Sequence, residues 1–267
     1  MGRQQFLTVS GGAVVANGLG VIGQHEAIWA AVDASPSSLM SGSDLAGWET
    51  ALGDGVYTAA GQAPVDIADI ATTHSGTHST LHANVVRRGV MAHNITHKRH
   101  VDATAFDTVH VAQYAFRLPY MPAAGAWPDN AQTAEGGLFV WDGPNTQLDY
   151  GLAFQWVLNP WMPTSGSIRC WTGTRWTNTG FLAVDTNWHT VSMTYDPRHS
   201  TAALSIDGVA VPATLATTTK VGFGSEVAAR LHTEVISLWP GSNHVAPSHR
   251  LEIRDWTWAR YLYLADI

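Results

Sequence analysis

The chain has 267 residues, 45% of them hydrophobic and 13% charged, with a formal net charge of −7. That length and apolar content support a sizeable core, while a charged fraction about half the usual share leaves a surface rich in Ala, Gly, Ser and Thr. No Lys/Arg run exists, which argues against nucleic-acid binding, and no apolar run reaches the ~18 residues of a spanning helix, so no membrane insertion is expected.

The first residues, MGRQQFLTVSGG, carry one early Arg and no apolar h-region, so no secretory signal peptide is expected. Synthesis in the cytoplasm is the expectation, and a final place on a virion or other extracellular assembly stays open. Residues 6–9 and 13–16 alternate and are separated by glycine pairs. They read equally as a first strand or as an arm docked on a neighbour. Ser43 is placed to cap a short helix with Leu45, Trp48 and Leu52 at helical spacing. Residues 1–70 are therefore expected to form an N-terminal extension with the first strands and a short helix, and 71–267 a β-sandwich.

Residues 71–100 hold His74, His78, His82, His93, His97 and His100. On a helix the first three would share a face, and a metal site could be drawn there. Ser75-Gly76-Thr77 and Ser79-Thr80 are poor helix formers, and in a strand or loop the three splay apart. His93 and His97 share a parity with Met91 and Ile95 and would line one sheet face. With no cysteine nearby and no carboxylate pair at ligand spacing, scattered polar or core histidines are expected rather than a metal cluster. Ordinary imidazole titrates near ~6.5, so a pH-dependent contact is compatible with the pattern.

From residue 101 alternation dominates. Tyr114, Phe116 and Leu118 share one face of a strand over 109–118, and Pro119, Pro122 and Pro128 bracket a loop holding Trp127. A strand over 136–141 ends in the turn Asp142-Gly143-Pro144-Asn145. Tyr150, Leu152, Phe154, Trp156 and Leu158 then occupy every second position. Strands over 168–171 and 181–184 follow, with Trp176 in the loop between them. Cys170, the single cysteine, excludes an internal disulfide and reads as a small buried hydrophobe. In 187–211, Val191, Met193 and Tyr195 alternate with Thr190, Ser192 and Thr194. Asp196-Pro197-Arg198-His199-Ser200 turns the chain, Ala202, Leu204 and Ile206 return, and Asp207-Gly208 is a two-residue hairpin signal. Strands over 231–239 and 250–261 close the chain. The change of parity between Leu251/Ile253 and Trp256/Trp258 requires a bulge near Arg254-Asp255. About a dozen short strands imply an all-β sandwich.

The order Trp188-His189, alternating strand, polar turn, Ala203-Leu204, Ile206-Asp207-Gly208 resembles the central hairpin of concanavalin A-like lectin/glucanase and laminin-G-like domains. The resemblance covers roughly residues 105–262 and implies an all-β, concanavalin A-like jelly-roll sandwich, with Trp188 in its core. It does not choose an activity, because that superfamily holds lectins, glycosidases, lyases, adhesion modules and virion proteins. Laminin-G relatives bind calcium with rim carboxylates, and Asp142, Asn145 and Asp149 offer such oxygens. These residues are also ordinary turn formers, so no cofactor is expected beyond a possible calcium ion.

Trp127, Trp141, Trp161, Trp171 and Trp176 fall in loops or at strand ends. A flat apolar ring with a polar handle suits sugar stacking, so a cluster of Trp161, Trp171 and Trp176 would make a glycan platform. The same rings could equally cap the sandwich or bury against a neighbouring subunit. The Glu-x-Asp-x-x-Glu motif of the glucanases is absent, although carboxylates from different strands can still meet. Tyr195, His189 and Arg254 supply the residue types of a lyase without a matching motif. The expectation is a non-enzymatic, lectin-like sandwich in a multimeric surface assembly, such as a virion decoration, head-fibre or tail protein, contacting itself, a neighbouring structural subunit or surface glycans. The alternatives are a stand-alone carbohydrate-binding lectin and a polysaccharide lyase or glycosidase of the same fold.

Overall fold

The computed structural model describes residues 35–52, 70–83, 91–122, 131–142, 151–160, 162–213, 227–238 and 249–263. Its strands are β1 (Ser38–Gly42), β2 (Glu49–Leu52), β3 (Ile70–His74), β4 (Ser79–Ala83), β5 (Met91–Val101), β6 (Thr108–Arg117), β7 (Ala131–Asp142) and β8 (Gly151–Val157). They continue with β9 (Ser167–Trp171), β10 (Trp176–Phe181), β11 (His189–Asp196), β12 (Thr201–Ile206), β13 (Val209–Val211), β14 (Val227–Leu238) and β15 (His249–Leu262). One sheet runs β13-β12-β11-β6-β15-β4-β3 with β1 added on β15, and the other runs β10-β9-β8-β7-β14-β5-β2. All pairings are antiparallel.

The core lies between the sheets, and period-two alternation put it there. Leu152, Phe154 and Trp156 of β8, with Leu158 just beyond, are buried in one cluster with Tyr114, Phe116, Val191, Met193, Leu204 and Ile206 of the facing sheet. Phe116 joins the layers, its ring centroid 5.7 Å from Trp156 and 6.2 Å from Phe154. Cys170 is fully buried in the same cluster, as expected. The predicted hairpin forms, with Met193 opposite Leu204. Asp207 and Gly208 take φ of 51° and 75°; two successive positive values are what a type I′ turn needs.

The bulge in β15 also forms. Its register against β6 shifts between Arg254 and Thr257, and Asp255 has φ 53°. The extra residue lets one long strand keep Leu251 and Ile253, then Trp256 and Trp258, facing inward. It also divides one edge of β15 between two partners. Leu251 pairs with β4, and Trp258 pairs with β1.

Three local expectations are corrected. The helix predicted from Ser43 to Leu52 is a turn, closed by Trp48 N donating to Leu45 O at 2.9 Å, followed by β2. Leu45 and Trp48 are buried because the turn, not a helix, aims them inward. The strand predicted over 181–184 runs over Trp176–Phe181 instead, so Trp176 is a strand residue. Trp188 is half-buried rather than core. Its ring is held between the guanidinium carbons of Arg117 at 4.6 Å and Arg254 at 4.2 Å. Residues 6–9 and 13–16 lie outside the described residues.

Candidate functional site

The side of the seven-stranded sheet turned away from the core carries the candidate site. Alternation sends Glu135 and Phe139 of β7, Gln155 of β8, Arg169 and Trp171 of β9, Trp176 and Asn178 of β10, and Arg230, His232 and Glu234 of β14 to that side. Register then orders them in rows. One row reads Ile95, Glu234, Glu135, Gln155, Arg169, Asn178 across β5, β14, β7, β8, β9 and β10. The next pairs His97 with His232, and His232 with Gly137. Trp171 and Trp176 face each other across β9 and β10.

At the aromatic end the rings of Trp171 and Trp176 are 5.4 Å apart at 57°, and both are half-buried against Phe139, Ala153 and Ala228. The indole N–H of Trp171 has no acceptor among the described residues. Beside them, Arg169 Nε donates to Asn178 Oδ1 at 3.0 Å, which presents a fixed pair of polar heads.

At the other end the face is polar yet closed. Glu135, His232 and Glu234 are 6%, 3% and 3% exposed. Gln155 Nε2 donates to Glu135 Oε2 at 2.9 Å, and His93 Nδ1 lies 2.5 Å from Glu234 Oε1. His232 Nε2 is 3.9 Å from Glu135 Oε1, and its ring stacks on Phe139 at 4.9 Å and 8°. That stack fits only because residue 137 is glycine; a Cβ there would stand 2.7 Å from His232 Cε1 and 2.5 Å from Phe139 Cζ. Burial pushes the Glu135 carboxyl up to about 7, against the pull of the Gln155 amide. Burial, reinforced by Arg230, pushes His232 down to about 3 and His97 down to about 4. Both imidazoles are neutral at physiological pH.

The candidates from the sequence are thus divided. Trp171 and Trp176 come together. Trp127, Trp161, Asn145 and Asp149 lie outside the described residues, as do the side chains of Trp141 and Asp142 at the end of β7. The His74, His78 and His82 series splays over β3, a turn and β4, as a strand reading required. His93 and His97 share the outer face of β5 as their parity predicted. His189 is fixed between Asp185 at 2.9 Å and Asp207 at 2.7 Å, Tyr195 sits at the far end of β11 in the core, and Arg254 lies over Trp188. The lyase residue types therefore do not converge. Glu135 and Glu234 were missed, because their meeting is a cross-strand register between distant segments. The available signal was an acidic residue in the middle of an apolar strand.

The chain forms a sandwich of two antiparallel sheets. Among solved structures it is similar to the carbohydrate recognition domain of Emp47p, with 13% identity, 85% of this chain and 98% of that chain covered, and a TM-score of 0.48. It is also similar to a beta-1,3-glucanase from Mycobacterium marinum, at 13% identity, 84% and 98% coverage and a TM-score of 0.47. Lectin II from Ulex europaeus is similar at 11% identity, 85% and 100% coverage and a TM-score of 0.45. No family model matches the sequence, and no curated protein matches it.

Proposed function

We propose that this protein is a non-catalytic carbohydrate-binding module that takes a glycan on the outer face of its seven-stranded sheet. The observation that carries this reading is the Trp171–Trp176 pair, set beside the polar heads of Arg169 and Asn178. A sugar ring offers an apolar C–H face and a rim of hydroxyls. Aromatic rings cover the first, and planar side chains with several donors and acceptors match the second. The low charged fraction of the chain suits a neutral ligand. A glycan array tests the reading. The wild-type protein binds at least one glycan, and Trp171→Ala and Trp176→Ala each weaken that binding by about tenfold or more, the loss of one aromatic anchor. No bound glycan, or binding unchanged in both variants, rejects it.

Glu135 and Glu234 each bring one carboxylate oxygen within 4.8 Å of the other, and the carboxylates of a retaining glycosidase stand ~5 Å apart. Both carboxylates are more than nine-tenths buried and Glu234 is engaged by His93, which favours the non-catalytic reading. New reducing ends from a polysaccharide panel, lost in Glu135→Gln, would overturn it. We place the module in a multimeric surface assembly of the virion-decoration, head-fibre or tail kind. Phe181 and Val209, 72% and 67% exposed at adjacent sheet edges, support a contact there with a second copy or a neighbouring subunit. A monodisperse monomer in sedimentation velocity rejects that part.

A further inference from the structure

We propose that Glu135, His232 and Glu234 form a binding site for one divalent transition-metal cation of the zinc or manganese kind. The proposal is independent of the glycan reading, because it uses the buried end of the face and none of the tryptophans.

Geometry is the first support. One oxygen from each carboxylate and one ring nitrogen of His232 all lie within 4.8 Å of one another. Three such points fit inside a circle of radius about 2.8 Å, so an ion at its centre is within ~0.8 Å of normal Zn–N and Zn–O lengths to every donor. Small side-chain rotations close that gap.

The second support is the state of His232. Its ring is more than nine-tenths buried, and Nδ1 has no hydrogen-bond partner. Nε2 stands 3.9 Å from Glu135 Oε1, beyond hydrogen-bond reach. A buried ring nitrogen with no partner among the described residues has lost its hydration without replacement. A cation gives one ring nitrogen a partner, and it also neutralises two carboxylates brought face to face on adjacent strands.

The third support lies in the groups behind the donors. The Gln155 amide holds Glu135 Oε2, which leaves Oε1 on the His232 side. His93 holds Glu234 Oε1 and leaves its other oxygen. Partners of this kind orient metal ligands. One imidazole with two carboxylates suits Zn²⁺ or Mn²⁺ better than Ca²⁺, which prefers oxygen alone. Arg230, two residues along β14 on the same face, is the positive charge that opposes binding. His97, beside His232 in the same row, is neutral.

The test uses the whole chain, stripped with a chelator and titrated with ZnCl₂, MnCl₂ or CaCl₂, with bound metal measured by mass spectrometry. The expected result is one Zn²⁺ or Mn²⁺ per chain, a higher unfolding temperature on addition, and binding weakened about tenfold or more in Glu234→Gln and His232→Gln. Trp171→Ala keeps the metal. Imidazole ¹⁵N spectra of the wild type need no variant, and the His232 resonances shift on Zn²⁺ addition. Wild-type uptake no greater than that of the Glu135→Gln/Glu234→Gln double variant overturns the proposal. So do unmoved His232 resonances, or binding of Ca²⁺ alone that is indifferent to His232→Gln.

Discussion

Trp156 and Trp188 differ in what surrounds them, and that difference is measurable. Trp156 is fully buried, its indole N–H donating to Leu182 O at 3.0 Å. Trp188 lies at the surface between two guanidinium groups. Trp156→Ala is expected to cost about 3–5 kcal/mol by cavity formation, and Trp188→Ala about 1 kcal/mol through lost cation–π contact. Urea denaturation of both variants checks this, and equal costs would contradict it. Gly137 is the second diagnostic position. Gly137→Ala drives a methyl into the Phe139–His232 stack, so it is expected to destabilise by about 1–3 kcal/mol. Gly137→Ala unfolding at the wild-type urea midpoint would contradict the stack.

At the scale of elements, the strands were legible where large apolar residues alternate with small or polar ones. Val191/Met193/Tyr195 in β11 and Leu152/Phe154/Trp156 in β8 alternate cleanly, and the bulge at Asp255 followed from a parity conflict alone. The false helix arose because Leu45, Trp48 and Leu52 share helical spacing. A tight turn leading into a strand satisfies the same burial. Pairings between distant strands leave no local trace, so the Glu135–Glu234 contact could not be read. Asn94 is another hidden pairing. From inside β5 it reaches the opposite sheet, donating to Ala71 O at 2.7 Å and His82 O at 2.8 Å. Asn94→Leu removes the bridge and strands two carbonyls, with an expected loss of about 2 kcal/mol. Chemical denaturation measures it, and an unchanged midpoint would show that the bridge contributes nothing.

The whole molecule carries its histidine chemistry as a pH dependence. His110, His232 and His249 are pushed down to about 4, about 3 and about 4, chiefly by burial. In the unfolded chain they titrate near ~6.5, so between there and pH ~4 the unfolded state binds more protons. Their stability is intact above ~6.5 and lost as pH falls. Glu135, raised to about 7 by burial, works in the opposite direction, because the folded state holds its proton down to the ordinary carboxylate range. These three, joined by His97 at about 4, outweigh one. Metal-free protein is expected to lose on the order of 3 kcal/mol between pH 7 and pH 5, lowering the unfolding temperature by roughly 6–12 °C. A flat or rising profile in calorimetry would contradict that assignment.

The most direct test of the account is which face of the sandwich meets the glycan. In a ¹H–¹⁵N spectrum each indole N–H reports its own surroundings, and a bound sugar displaces only those it touches. Adding a glycan identified on the array is predicted to move the indole resonances of Trp171 and Trp176 together with backbone amides of β8, β9 and β10, and to leave Trp188 in place. Movement of Trp188 and the β6, β11 and β15 amides, with Trp171 and Trp176 unmoved, would contradict it.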